Sequence, residues 1–405
     1  MLGSLLLAVT MLGFQAPKDV PPDAAKLAAI EARQPDDKDE FNAPSDKRHA
    51  QDLKNDNEEG KKFALEVEKQ EKLSKDKAMQ DRVERVGQQI ARIANHNNVV
   101  SLWGDKRLNP YHYHYKVLVG DDVNAFSLPG GYVYVYEGLI KFIESDDELA
   151  GILAHETAHA SLRHIATLSR ESNKSLLIQI PILIAAILTH NMAVAQTGQI
   201  YGQAQQSGWS VKAEKAANYA GFQYMVKGPY NPVAMLTFME RLAQKERYLD
   251  PILRNLGILQ THPVTPERAD AMMADLKAFN IPVERSKASP SYRVTLKDGR
   301  DGAVEAFFGG RKIFVFAGID ARERAEQALP QLNAFYDTVP QMFDVSSQGD
   351  RVVWKGKTLL VVHPEDAKLA NASEDQLTAN TVEAIKQTLF TLSYKIPDTR
   401  VDRRG

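Results

Sequence analysis

The spacing of apolar residues divides the chain into segments of different kinds. From about residue 58 to residue 93 they recur every three or four positions, which predicts amphipathic helices. Apolar and polar residues then alternate in 113–119 and 131–136, which predicts two short strands bordered by glycine-containing turns. Helical spacing returns from residue 146 to about residue 279.

The last hundred-odd residues have a different pattern. Short strand-like runs occur at 292–296, 312–316 and 352–360, and helical runs at 322–343 and 373–394. The sequence therefore predicts an α+β chain. We expect a mostly helical domain with a small sheet over residues 55–283, followed by a small α+β domain of unknown role over residues 290–405.

The first 54 residues are expected to lie outside both domains. Residues 1–16 form an uncharged apolar run of signal-peptide length, shorter than the roughly 20 residues that cross a bilayer. This run is interpreted as a signal peptide, or alternatively as an uncleaved anchor. Residues 17–54 are rich in Pro, Asp and Lys and predict a disordered tether.

Composition narrows the chemistry that the chain can perform. Its 50 basic and 52 acidic residues give a net charge of −2, so we expect no nucleic-acid partner. The chain has no cysteine, which excludes thiolate nucleophiles, disulfides and cysteine-bound metals. A metal site would have to use His, Asp or Glu.

A His-Glu-x-x-His motif at residues 155–159 offers such a site. Residues four apart lie one turn above each other on a helix, so His155 and His159 can reach one Zn²⁺. Glu156 between them then points toward the water that completes the coordination shell. The alternative is an ordinary helix that happens to carry two histidines.

Zinc needs a third protein ligand, and spacing does not decide which residue supplies it. A metzincin would have His at position 165, which is Ile165 here, so His164 is interpreted as a surface residue or a support for a ligand. Glu214, on a later predicted helix with small Ala217 and Gly221 on the same face, is one candidate. The alternative, which spacing alone favours, is a solvated helix glutamate.

Several motifs together resemble one known family over about residues 60–273. They are 124–131 (NAFSLPGG), the His-Glu-x-x-His helix, Glu214-Lys-Ala-Ala-Asn218, and His262-Pro263 followed by Arg268. The family is the zinc metallopeptidases that include the CAAX prenyl endopeptidase, HtpX and the periplasmic β-barrel assembly-enhancing protease. The resemblance implies a zincin-type (gluzincin) domain that holds one Zn²⁺ per chain, and it is closest to the exported soluble branch, without that branch's tetratricopeptide repeats.

The resemblance also implies roles for individual residues. The third zinc ligand would be Glu214, and His262 and Arg268 would stabilise the oxyanion, although His262 could instead bind zinc in a closed form or be an ordinary turn residue. Asn124, Ala125 and Phe126 would form an edge strand that binds an unfolded or extended polypeptide through its backbone.

One departure from the family pattern affects the expected activity. Asn218 stands where the family has Asp, one turn after Glu214 and close enough to support a zinc ligand. It lacks the negative charge of Asp, and the loss of such a supporting group typically costs about 10–100-fold in metal affinity or activity. We expect a zinc endopeptidase that cleaves unfolded or misassembled envelope proteins. The alternative is a weakly active or inactive relative that binds proteins as a chaperone does.

Localisation follows from the apolar segments. The predicted signal peptide favours an exported protein, in the periplasm or another extracytoplasmic compartment. Residues 176–188 are apolar but too short to cross a bilayer. They are interpreted as a lid or hairpin that covers the cleft or contacts the membrane surface, or alternatively as part of the core.

Overall fold

The structure, a computed structural model, describes residues 44–171, 209–247 and 266–392. The predicted signal peptide, residues 176–188 and His262 lie outside these ranges. Among the described residues no helix is both long and apolar enough to cross a membrane. The α+β fold class predicted from the sequence is confirmed: helices predominate, and the strands form three small sheets.

The first described helix begins earlier than the sequence pattern predicts. Helix α1 spans Lys47–Gln70 and is capped by Asp46, whose side chain accepts from the amides of residues 48 and 49. The predicted tether therefore cannot extend to residue 54. The pattern fails because the buried positions of the first turns include polar His49 and Asp56, which are buried through hydrogen bonds rather than as apolar side chains.

The first sheet lies between α1 and the helix that carries the histidine motif. Helix α2 (Lys77–His96) precedes strands β1 (His114–Leu118), β2 (Ala125–Leu128) and β3 (Tyr132–Tyr136). The strand order is β1-β3-β2, with β3 parallel to β1 and antiparallel to β2. Strand β2 is thus an edge strand.

The histidine motif lies on a central helix, α4 (Asp146–Ser161), which follows the short helix α3 (Glu137–Phe142). After α5 (His164–Glu171) come α6 (Trp209–Lys227), α7 (Val233–Arg247) and α8 (Pro266–Ala278). Glycines let α6 and α7 approach α4 closely. A β-carbon on Gly221 would lie 3.0 Å from the amide nitrogen of His155, and one on Gly151 would lie 2.8 Å from Cγ of Met235.

A short helix, α9 (Arg285–Ala288), leads into the C-terminal domain, where three strands and a helix occur twice in succession. The first set is β4 (Val294–Asp298), β5 (Val304–Phe308), β6 (Arg311–Phe316) and α10 (Ala321–Asp337). The second is β7 (Val345–Gln348), β8 (Arg351–Trp354), β9 (Lys357–Val361) and, after α11 (Pro364–Leu369), helix α12 (Glu374–Leu392). Both sheets are antiparallel, and their apolar faces share one core with α10 and α12.

Candidate metal centre

Helix α4 has a well-defined start and is surrounded by other elements. Ser145 caps it by accepting from the amide of Glu148, and three acidic residues in the first turn complement the positive end of the helix dipole. All of its residues except Asp146, Asp147 and His159 are buried. The ligand helix is therefore fixed on every side, as a site that holds a metal in one geometry requires.

The two histidines of this helix and a glutamate of α6 converge at one point. Nε2 of His155 and Nε2 of His159 lie 3.1 Å apart. The carboxylate of Glu214 lies 3.4 Å from the first of these nitrogens and 3.3 Å from the second. Among the described residues this is the one group of three or more potential ligands close enough to hold a metal, with ligand atoms within 4.8 Å of one another.

The chemistry of this group fits zinc. Two imidazole nitrogens and one carboxylate oxygen are a common protein ligand set of catalytic zinc sites, which keep a further position for water or substrate. Glu214, which the sequence alone left open between ligand and solvated residue, is 8% exposed and faces the histidines. The three residues expected from the sequence to bind zinc are thus brought together in space.

Glu156 follows the first histidine and is 1% exposed. It lines a cavity together with His155, Asn218 and Arg268, and the opposite wall is formed by apolar side chains of α7: Met235, Phe238, Met239 and Leu242. A carboxylate beside a metal site and facing a largely apolar cavity is suited to move a proton to or from a bound substrate.

Arg268 brings a positive charge to the same cavity. Its guanidinium donates to Oδ1 of Asn218 at 2.8 Å and lies 3.4 Å from Oε2 of Glu214. Burial lowers the pKa of Arg268, while the carboxylates of Glu214 and Glu156 raise it. Arg268 and Asn218 therefore lie beside the ligand group, whereas His262 lies outside the described residues.

The predicted substrate strand is present as an edge strand, but its side chains point into the protein. Asn124, Ala125 and Phe126 are all at most 5% exposed. Phe126 stacks on Tyr134 of the neighbouring strand at 5.3 Å between ring centroids. Any recognition by this strand would involve its backbone rather than these side chains.

His164 is the residue of the site that the sequence interpretation left undecided. It is 2% exposed, and its Nδ1 lies 3.0 Å from Nδ1 of His159. Burial lowers the pKa of His164 well below its usual range, and the adjacent His159 lowers it further. In the sequence, His164 is only a histidine five residues after His159. Helical spacing cannot assign it a role, because the helix ends between these two residues.

Comparison with known proteins finds similarity to one peptidase family over the part of the chain that builds this site. Residues 78–275 match peptidase family M48, and residues 303–391 match a domain of unknown function, DUF8459. The chain is 30% identical over 166 residues to the β-barrel assembly-enhancing protease of Escherichia coli (39% of this chain and 34% of that protein). It is 26% identical over 172 residues to the metalloprotease LoiP of Escherichia coli (42% and 66%). It is 33% identical over 145 residues to the mitochondrial metalloendopeptidase OMA1 of Schizosaccharomyces pombe (36% and 41%).

These similarities cover the part of the chain that builds the site. The match spans about one third of the length of the β-barrel assembly-enhancing protease, so it concerns the peptidase domain and not that whole protein. His155, Glu156, His159 and Glu214 all fall within the residues matched to the family. Residues 78–275 therefore form a peptidase family M48 domain, and the proteins that this part of the chain resembles are metalloproteases by name.

Proposed function

We propose that this chain is a zinc-dependent endopeptidase that cleaves unfolded or misassembled proteins of the cell envelope. The observation that carries the proposal is the convergence of His155, His159 and Glu214 within 4.8 Å, with the buried carboxylate of Glu156 next to them. These three side chains would hold one zinc ion, and Glu156 would act as the general base.

The chemistry divides between the metal and the protein. A zinc ion held there supplies Lewis acidity, which polarises a peptide carbonyl and makes water more acidic. Glu156 takes the proton from the attacking water and returns it to the nitrogen of the leaving amine. The largely apolar lining of the cavity around Glu156 strengthens these electrostatic interactions.

Arg268 has two roles in this proposal. Its guanidinium lies 3.4 Å from Glu214 and holds that carboxylate in place. It also lines the cavity beside Glu156, so it can donate to the oxyanion that forms when the carbonyl is attacked. His262 is proposed as a second donor on the grounds of the family resemblance alone.

The substrate is proposed to bind as an added strand. Strand β2 is bonded to β3 on one side, and no strand of the described residues pairs with its other side. An extended chain could add there by backbone hydrogen bonds, which require an unfolded segment and little particular sequence. This supports unfolded polypeptides as the substrate class.

The location in the envelope is also a proposal. It is supported by the apolar run at residues 1–16 and by the similarity to a protease whose name refers to β-barrel assembly. Contact of residues 176–188 with a membrane surface and the absence of a nucleic-acid partner remain predictions from the sequence.

The decisive experiment measures zinc content and the cleavage of unfolded casein by the purified full-length chain. Glu156→Gln keeps the shape of the side chain and removes the base, and it should retain about one zinc per chain while casein cleavage falls at least about 100-fold. Glu323→Gln, an exposed glutamate of α10, is the matched control and should behave like the unaltered chain.

Two outcomes would contradict the proposal in different ways. A chain that binds no zinc would refute the ligand assignment. Stoichiometric zinc without cleavage by the unaltered chain would instead favour a protein-binding relative that keeps the metal as a structural element. The presence of Asn218 is the observation that favours this alternative.

A further inference from the structure

The turn that ends the ligand helix is built around an unusual residue. Helix α4 ends at Ser161, and two residues later Arg163 has a φ of 51°. This left-handed conformation is common just after a helix, but glycine usually occupies it because a β-carbon makes it less favourable. The surrounding structure must therefore hold Arg163 in this conformation.

Buried ion pairs stabilise Arg163 in this conformation. The guanidinium of Arg163, whose side chain is 2% exposed, donates through Nε and Nη2 to both carboxylate oxygens of Asp56, at 2.5 and 2.9 Å. Its Nη1 donates to Asp105 at 3.0 Å. Bidentate pairs of this kind fix geometry as well as charge, and breaking one leaves an uncompensated buried charge.

The turn places the next residue, His164, against the metal ligand. The rings of His164 and His159 meet edge to face with centroids 4.9 Å apart, and on its other side His164 packs on Trp103 at 5.2 Å. Gly104 closes the same wall, because a β-carbon there would lie 2.8 Å from the His164 ring.

The direction of the hydrogen bond between the two rings depends on which nitrogen of His159 carries the hydrogen. The Nδ1 atoms are 3.0 Å apart, so one must carry a hydrogen and the other must accept it. His159 directs Nε2 toward Glu214, at 3.3 Å, on the side of the ligand group. A nitrogen that binds a metal carries no hydrogen, so with a metal on Nε2 the hydrogen of His159 would lie on Nδ1 and His164 would accept it.

We propose that His164 is a positioning residue, held by the Arg163 turn, that fixes the ring orientation and tautomer of His159 for zinc binding. The inference rests on the metal site of the proposed function. It also gives α1 a part in the site, since Asp56 lies in this helix, before the residues matched to the peptidase family. Metal-binding histidines commonly need such a partner on their second nitrogen.

The test compares two substitutions in the full-length chain. His164→Asn keeps an acceptor oxygen near the position of Nδ1, whereas His164→Leu removes it at similar volume. Zinc affinity is measured by competition with a chromophoric chelator. We expect the dissociation constant of the Leu variant to rise about 10–100-fold and that of the Asn variant to stay within about threefold of the unaltered chain.

Metal-free samples of each variant are melted in parallel, because a structural role would lower their melting temperatures together with the affinity. His96→Leu, at an exposed histidine that ends α2, is the matched control. Equal zinc affinity in the Leu variant and the unaltered chain would overturn the inference alone. Absence of zinc from the unaltered chain would overturn the proposed function as well.

A second variant alters the Arg163 turn at a distance from the metal site and leaves His164 unchanged. Asp56→Asn removes one charge from the Arg163 pair. It should raise the zinc dissociation constant at least about threefold through the looser turn. An unchanged constant would overturn the part assigned to Arg163 and α1.

Discussion

Arg268 donates a hydrogen bond of 2.8 Å to Oδ1 of Asn218. The same guanidinium lies 3.4 Å from Oε2 of Glu214, so one arginine connects a metal ligand with the residue one turn beyond it. With Asn at position 218 the amide contributes a dipole and no charge. Glu214 therefore carries the full negative charge of this small group.

Asn218→Asp should strengthen zinc binding. The added carboxylate would pair with Arg268 and compete with Glu214 for it, which leaves more of the Glu214 charge for the metal. We expect the zinc dissociation constant to fall about tenfold, within the range typical of groups that support metal ligands. Competition with a chelator at neutral pH measures this dissociation constant. Asn218→Ala, which removes the acceptor altogether, is the control and should weaken binding; equal affinities in all three chains would show that position 218 does not act on the metal.

Asp105 should make stability depend on pH in a definite direction. Burial alone would raise the pKa of Asp105, but hydrogen bonds from Arg107 and Arg163 outweigh it and hold the pKa well below its usual range. A depressed pKa means that the folded state binds the proton less readily than the unfolded state. Its stabilisation is therefore complete above the ordinary Asp range and is lost as the pH falls through that range and below it.

Asp105→Asn should accordingly destabilise the chain by about 2 kcal/mol at pH 7, the scale of a charged hydrogen bond. The difference from the unaltered chain should shrink as the pH is lowered from about 5 toward 3. Urea unfolding at several pH values measures the free energy of unfolding of both chains. A difference that stays constant over this range would contradict the assignment of the effect to ionised Asp105.

Gly104 should tolerate no side chain. Its φ is +99°, and a β-carbon would lie 2.6 Å from the carbonyl oxygen of Leu162 and 2.8 Å from the ring of His164. Gly104→Ala therefore adds a clash to backbone strain and should lower stability by about 3 kcal/mol. Gly302→Ala is the matched control, since Gly302 has a φ of +77° but no atom within 4 Å, and it should cost only about 1 kcal/mol. Equal losses in the two variants would show that the clash is relieved at no cost.

The part of the site that sequence could predict is the part carried by spacing on single helices. His155, Glu156 and His159 lie on one helix, so a local pattern is enough to propose them, whereas Glu214 and Asn218 on a later helix could be assigned only through the family resemblance. The site of Arg163 and His164 was not predictable in this way. It depends on a left-handed turn and on carboxylates about 60 and 110 residues earlier in the chain, at Asp105 and Asp56.

The difference between local patterns and long-range contacts also explains which parts of the fold could be predicted from the sequence. The helices and most strands follow the apolar spacing, and the α+β class could be predicted from it. The start of α1 could not, because Asp56 is buried as an ion-pair partner and breaks the apolar period. Apolar spacing records burial by the hydrophobic effect and does not record burial by charge pairing.

The C-terminal domain should stabilise the wall of the cavity. Glu240 of α7 is 1% exposed and accepts from Arg285 at 2.7 and 2.9 Å, and Arg285 also donates to the carbonyl of Asp337, the last residue of α10. One face of α7 thus contacts the entrance to the C-terminal domain, and another face lines the cavity with Met239 and Leu242. Removing Arg285 alone would leave a buried carboxylate without its charge partner.

Arg285→Met should therefore lower the free energy of unfolding by about 3–5 kcal/mol. Arg285→Met combined with Glu240→Leu should recover much of this loss, because the double variant leaves no uncompensated buried charge. Urea unfolding of the unaltered, single and double variants measures this coupling. Equal losses in the single and double variants would show that the cost does not come from an uncompensated charge on Glu240.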